Sequence, residues 1–351
     1  TAFILKLAGG ISILPLIYFV YIIINHFSTA GAPFYYVLIV SLIGVVQSFN
    51  IIDSYFQSRT QGKFIMRVQI VANLLSAAIK GLFILLQLSL TWFIYSLLLD
   101  AALIAIGYLY VYQKNGGQVW KWTFDSKLAK FLLAHSWPLA FSAILVSIYM
   151  KIDQLMIAQY LGVGALGVYS SAVQWAESCY FIPVAIVTSV FPAIMNARRD
   201  DPERYLRRMQ NMYDLMVWIS LSLAILVSFF APVIFKLYDP TYAEAAHVLS
   251  ILIWASIFVF LGTASGQFLI AEGYTKLTMT RTGVGALINV LLNIFWIPKY
   301  GIIGSAYATL VAYAVSAFWL LLIPKTRQQG IMMLKSVLLI TLVSKLKSPK
   351  S

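Results

Sequence analysis

The chain of 351 residues is 61% hydrophobic and 11% charged, with a formal net charge of +13 and a mean hydropathy of +0.85. That is far more apolar surface than one soluble core could bury, and no short alternating strands suggest an outer-membrane barrel. An all-α polytopic membrane protein is left, and its single cysteine, Cys179, lies inside an apolar run, which excludes a disulfide framework or a cysteine-based metal site.

The chain opens Thr1-Ala2-Phe3-Ile4-Leu5, without an initiator Met and already inside a hydrophobic run, and so reads as a fragment. Apolar runs follow at about 3–23, 34–52, 68–86, 91–111, 132–159, 165–191, 212–235, 246–270, 277–297 and 302–323. Each is near the roughly 20 residues that a bilayer-crossing helix needs, so ten spans are expected. A shorter run, 331–344, carries Lys335 and reads as interfacial or as a partial span. The connections alternate in charge. One set holds sixteen Lys and Arg, among them Arg59, Lys63, Lys121, Arg198, Arg199, Arg204, Lys276 and Arg281, and the other only Lys236 and Lys299. This bias puts the first set in the cytoplasm. The positive charge therefore reports topology, and no nucleic-acid partner is expected. No loop could hold a soluble domain, and no Walker-type glycine loop occurs.

The longest basic connection divides the chain. A truncated bundle of four spans is expected over 1–112, a cytoplasmic linker over 113–130, a six-span bundle over 131–325, and an interfacial or partial span with a basic tail over 326–351. A shift of 213 residues aligns Lys63 with Lys276, Met66 with Met279, Gln69 with Thr282, Ser76 with Asn289 and Lys80 with Asn293, as a duplicated bundle would. On parallel repeats of six, two helices would precede Thr1.

Polar residues inside the spans carry the candidate chemistry, because one charge at a helix centre costs about 2.5–3.5 kcal/mol on insertion scales. On the third span Gln69, Asn73, Ser76, Lys80 and Gln87 stack on one face. Lys80 lies roughly 18 Å in at 1.5 Å per residue. It either pairs with Asp100 on the next span or lines an aqueous cavity for an anionic substrate. Lys151 and Asp153 are two residues apart, about 200° around a helix, and so cannot pair with each other. Asp153 shares a face with Ser142, Tyr149 and Tyr160, and Lys151 with Ser147 and Gln154; the following span carries Ser170, Gln174, Glu177 and Ser178. Either Lys151 pairs with Glu177, or Asp153 or Glu177 titrates or binds a cation in an alternating-access cycle. The substrate-cavity candidates are thus Lys80, Lys151, Gln69, Asn73, Asn289 and Asn293, and the ion-coupling candidates Asp153, Glu177 and Asp100. Pro15, Pro183 and Pro232 lie inside spans as possible breaks. His26, His135 and His247 are scattered near span ends and suggest no metal site, while Trp92, Trp120, Trp122 and Trp137 lie near interfaces. No nucleophile–base signature occurs, so neither an enzyme nor a cofactor is expected.

Between 148 and 192 the blocks Ile152-Asp153-Gln154-Leu155-Met156-Ile157-Ala158, Leu161-Gly162, Gly167-Val168-Tyr169-Ser170, Glu177, Tyr180-Phe181-Ile182-Pro183 and Val190-Phe191-Pro192 form a pattern. It resembles the polysaccharide transporter family, the Wzx-type O-antigen flippases of the MOP superfamily that also holds the MATE exporters, and the similarity runs to about residue 325. The resemblance implies two six-helix bundles around a central cavity. It implies transfer of an undecaprenyl-pyrophosphate-linked oligosaccharide from the cytoplasmic to the periplasmic leaflet of the bacterial inner membrane, for O-antigen-like polysaccharide or lipopolysaccharide assembly. Basic cavity residues would hold the pyrophosphate, a role open to Lys80 and Lys151. Acidic residues would couple to H+ or Na+, a role open to Asp153, Glu177 and Asp100, of which only the first two lie in the matching blocks. Membrane lipids and other polysaccharide-assembly membrane proteins are the implied partners. The alternatives are a MATE-type cation-coupled multidrug exporter and a membrane polysaccharide polymerase or ligase. The latter would need a long outward loop bearing catalytic Arg or His, and the outward connections here are short.

Overall fold

A computed structural model describes residues 1–27, 33–59 and 61–341; within these, the side chains of residues 20, 23–27, 135, 137–146, 148–149, 192, 198–200 and 275 fall outside the description. His26, His135, Trp137, Ser142, Tyr149, Pro192, Arg198 and Arg199, singled out above, therefore lie outside the described side chains, as does the end of the 331–344 run. Among the described residues every element is a helix. Long runs of Leu, Ile, Val and Ala leave the backbone only its own amides as partners, and a helix satisfies them all.

The chain forms two compact units, Thr1–Ser142 and Ala143–Ser351. The first holds α1 (Ala2–Phe27), α2 (Phe34–Val46), α3 (Ile51–Ser58), α4 (Gly62–Leu85), α5 (Leu90–Lys114) and the start of α6 (Ser126–Glu177). Its buried core is small: Ile52, Phe56, Ile65, Val68 and Tyr108 meet where α3, α4 and α5 pack. Large apolar side chains such as Leu74, Ile84 and Leu85 stay exposed, as surface facing hydrocarbon would. Helix α4 stops at Leu85, and Gln87 sits beyond it with φ +50°. The polar stripe predicted on this helix therefore ends at Lys80.

The second unit holds the rest of α6, then α7 (Phe181–Asp200), α8 (Pro202–Phe235), α9 (Ala245–Ala271), α10 (Thr275–Phe318) and α11 (Arg327–Val337). Two of these helices turn back on themselves. In α6, Tyr169 meets Asp153 at 2.7 Å across 16 residues; a straight helix would separate them by roughly 24 Å. The reversal is at Gly162, with φ +87°, and α10 reverses likewise at Gly301, with φ +60°, which brings Asn289 within 3.2 Å of Thr309. A side chain in that left-handed region costs about 1–2 kcal/mol, which glycine escapes. Of the 8 helical stretches long and apolar enough to cross a membrane among the described residues, Met150–Ala197 and Lys276–Leu322 contain these reversals. Dividing both gives the ten passes expected from the sequence.

Local signals explain the remaining boundaries. Asp201 caps α8, its carboxylate accepting from the Arg204 amide at 2.9 Å, with Pro202 in the first turn where no amide is needed. Pro183 similarly falls in the first turn of α7 and breaks nothing, whereas Pro15 and Pro232 lie inside α1 and α8. Helix α9 is the axis of this unit: 61% of its apolar stretch is buried, against 22% for α8. Met209, Met212, Tyr213 and Met216 pack on Phe260, Leu261 and Leu269 in one core, and Ile157 and Tyr169 pack with Leu249, Ile297 and Ala306 in another. The eleven residues of α11 span only roughly 16 Å, too short for a crossing. They dock on α8 instead, with Tyr213 donating to Gln329 at 2.9 Å and Gln210 to Ser336 at 2.7 Å.

Candidate ion-coupling site

In the first unit the intramembrane charges answer each other. Lys80 Nζ lies 2.5 Å from Asp100 Oδ2, and Ser76 Oγ donates to Oδ1 of the same carboxylate at 2.5 Å. A four-residue spacing, close to one 3.6-residue turn, brings Ser76 and Lys80 onto the face of α4 that packs on α5, where Lys80 forms the ion pair with Asp100. Gln69, seven residues earlier on that helix, donates to Tyr108 at 2.9 Å. Asn73 is exposed and makes no hydrogen bond among the described residues.

The second unit divides its charges. Lys151 and Glu177 pair at 3.4 Å, with side chains 50% and 36% exposed, a geometry worth about 0–1 kcal/mol. Asp153 points the other way and is buried, and no described lysine or arginine pairs with it. Its donors are neutral: Tyr169 Oη gives a hydrogen bond to Oδ2 at 2.7 Å, and the Gln154 amide one to Oδ1 at 2.8 Å. Of the face partners read from helical spacing, Tyr160 is exposed. The true partner comes from beyond the turn, because Asp153 and Tyr169 stand nine and seven residues on either side of Gly162 and so face each other across the hairpin.

The α10 hairpin completes the cluster. The hydroxyls of Ser305 and Thr309 lie beside Tyr169 Oη, although Ser305 Oγ closes no hydrogen bond. Asn289 Nδ2 donates to Thr309 Oγ1 at 3.2 Å, and Asn293 Nδ2 to Asn289 Oδ1 at 3.0 Å. Asn289, Asn293, Ser305 and Thr309 are all buried. Asn293 Oδ1 and Ser305 Oγ thus sit in the interior as unmet acceptors, each at a cost of about 1–3 kcal/mol if left so. Tyr169 thus links the Asp153 carboxylate to a run of neutral oxygens on α10, a setting of one negative charge whose chemistry suits a hard monovalent cation or a proton. Among the described residues no group of three or more His, Cys, Asp or Glu gathers as a multivalent metal site would require.

Spacing alone did not single out Tyr169, Ser305 or Thr309. A tyrosine in an apolar run gives no polar signal, and small hydroxyls are common inside helices, where they bond to the preceding turn. Their distance from Gly162 and Gly301 is the signal that could have found them. Arg281 is a further difference. Counted above as a loop charge because it follows Lys276 closely, it is nine-tenths buried inside α10, with Nη1 donating to Ser265 Oγ at 2.8 Å and Nη2 to the Gly262 carbonyl at 3.2 Å. It lines a cavity of about 280 Å³ within the second unit.

Residues 1–245 match the family described as polysaccharide biosynthesis protein. An uncharacterised membrane protein of Methanocaldococcus jannaschii is 33% identical over 105 residues, which is 30% of this chain and 20% of that protein. Probable flippase AglR of Haloferax volcanii is 26% identical over 178 residues, 48% of this chain and 36% of AglR. The chain thus spans less than half the length of these curated relatives. Among solved structures, the inward closed conformation of the lipid II flippase MurJ superposes with a TM-score of 0.60 at 17% identity, over 98% of this chain and 76% of that one, a likeness of fold.

Proposed function

The chain belongs to the polysaccharide biosynthesis protein family, and from that premise we propose that it is a flippase, carrying an undecaprenyl-pyrophosphate-linked oligosaccharide from the cytoplasmic to the outer leaflet for assembly of an O-antigen-like polysaccharide. The basic connections fit a cytoplasmic placement of that end of each helix, and the relative named as a probable flippase supports the activity. The observation that carries the mechanism is the buried carboxylate of Asp153, held by the Tyr169 hydroxyl at 2.7 Å, with Ser305 and Thr309 beside that hydroxyl and no described lysine or arginine paired to the carboxylate. An ion moves a conformational equilibrium only by binding one state more tightly than another. Here Na+ or H+ neutralises Asp153 and holds the α6 hairpin against the α10 hairpin; its loss leaves a buried charge, which favours parting of the two and entry of water. Ion occupancy thereby sets which state is stable, and a gradient supplies the work.

The test is a transport assay on the full-length protein in proteoliposomes, with a fluorescent undecaprenyl-pyrophosphate-linked oligosaccharide and an imposed Na+ or H+ gradient. Gradient-stimulated flipping in the wild type, reduced about tenfold or more in Asp153→Asn, is the expected result; an unchanged rate in that variant removes Asp153 from the mechanism. One observation favours a second reading, a MATE-type cation-coupled exporter: Lys80 and Lys151 are both engaged by carboxylates rather than held for an anionic substrate. Uptake of an organic cation with no movement of the glycolipid in the same vesicles would select that reading.

A further inference from the structure

We propose that the outward face of α11 binds the anionic headgroups of the cytoplasmic leaflet and seats this end of the second unit on that membrane surface. The helix has two faces. Gln329, Gly330, Met332, Met333 and Ser336 are buried, and α8 holds them: besides the Tyr213 and Gln210 contacts, Ser336 Oγ and Thr341 Oγ1 both donate to Oδ1 of the Asp214 carboxylate at 2.7 Å. Arg327, Gln328, Ile331, Leu334 and Lys335 are exposed, as is Leu338 just past the end of the helix. At about 100° per residue these six fall within roughly 120° of arc. The face lies at the end of α8 that carries Arg204 and Arg207, which the loop charges assign to the cytoplasm.

That arc suits neither water nor the centre of a bilayer. Ile331, Leu334 and Leu338 are 39%, 36% and 58% exposed and make an apolar stripe, while Arg327 and Lys335 on the same arc would be costly in hydrocarbon. The headgroup boundary meets both needs, because the stripe enters the edge of the hydrocarbon and the long basic side chains reach back to lipid phosphates. Charge selects the lipid. From residue 325 to the end, the sequence holds Lys325, Arg327, Lys335, Lys345, Lys347 and Lys350 and no acidic residue, and each basic residue held near an anionic surface adds to the attraction. The same charge argues against a second copy of the chain as the occupant, since a self-complementary contact would press two positive faces together. Tyr213, Gln210 and Asp214 hold the opposite face, so the stripe is aimed by the fold, and lipid bound to α11 bears directly on α8.

The full-length protein carrying Cys179→Ser and Leu338→Cys, labelled with bimane at the new thiol and placed in phosphatidylcholine nanodiscs with or without phosphatidylglycerol, tests this. Brominated acyl chains are expected to quench the bimane, about twofold more strongly when phosphatidylglycerol is present. The triple variant Lys325→Gln, Arg327→Gln, Lys335→Gln removes three exposed charges and leaves the buried contacts on α8 intact. It should fold as the parent does and lose most of the gain from phosphatidylglycerol, and added salt should shrink that gain in the parent. A bimane quenched by aqueous iodide and untouched by brominated chains in both lipids would overturn the assignment, as would a gain that survives the triple substitution. Shielding from iodide that appears only when two copies share a disc would give the face to a second copy and overturn it equally. None of these readouts measures transport, so the flippase reading stands or falls separately.

Discussion

The α4–α5 seam of the first unit and the α10 hairpin of the second occupy corresponding places in the sequence, 213 residues apart, yet they treat charge differently. Ser76 and Lys80 correspond to Asn289 and Asn293, and Ser96 and Asp100 to Thr309 and Tyr313. In the first unit the seam brings its own cation to its own carboxylate, with Lys80 on Asp100. In the second both charged positions are neutral, and the carboxylate comes from outside the pair: Asp153 of α6 is held by Tyr169, whose hydroxyl lies beside Ser305 and Thr309 of α10. A charge that carries its partner in the chain is a fixture of the fold. The Asp153 charge is met by neutral donors instead, and under the proposed function that difference separates packing from ion coupling.

The comparison breaks most visibly if the first seam is disturbed. Lys80→Met leaves Asp100 without its cation and should cost about 2–3 kcal/mol, less than for a fully buried pair because both side chains are about a third exposed. The double variant Lys80→Met, Asp100→Leu should recover most of that loss in thermal melts of the detergent-solubilised protein. In the second unit Tyr169→Phe removes a donor from a buried carboxylate and should cost about 1–2 kcal/mol, with a weaker response to cations. Ser305→Ala sharpens the contrast, because it deletes a buried hydroxyl with no partner. Without cation it should be neutral or stabilising by up to about 1 kcal/mol, and with saturating cation it should gain less than wild type. The smallest effect is expected for Lys151→Ala, which breaks an exposed pair and should shift stability by less than about 1 kcal/mol. A large loss there would mean that the pair is more than a surface contact.

Much of the fold was legible because bilayer-length apolar runs and alternating loop charge are strong, redundant signals. The ten passes were read from them, although two connections shrink to a single left-handed glycine at Gly162 and Gly301. Asp153 was legible as a residue because an intramembrane carboxylate is expensive. Its surroundings were not, because helical spacing relates Asp153 only to its own limb, whereas Tyr169 reaches it across the reversal at Gly162, and Ser305 and Thr309 reach Tyr169 from the α10 hairpin. Asn289 and Asn293 were visible as a stripe matching Ser76 and Lys80, but spacing does not say that Asn289 bonds to Thr309 across the reversal at Gly301. Arg281 was read as loop charge because it lies early in its helix; only its contacts on α9, the Ser265 hydroxyl and the Gly262 carbonyl, reveal a buried guanidinium.

The most direct measurement of the central claim is the melting temperature of the full-length protein as a function of Na+, at constant ionic strength, and of pH. A ligand that binds the folded state stabilises it by RT ln(1 + [L]/Kd). Wild type and the Lys80→Met, Asp100→Leu variant should both gain stability with Na+ or with added protons, and Asp153→Asn should show a flat response to the same ion. An undiminished rise in Asp153→Asn would contradict the account.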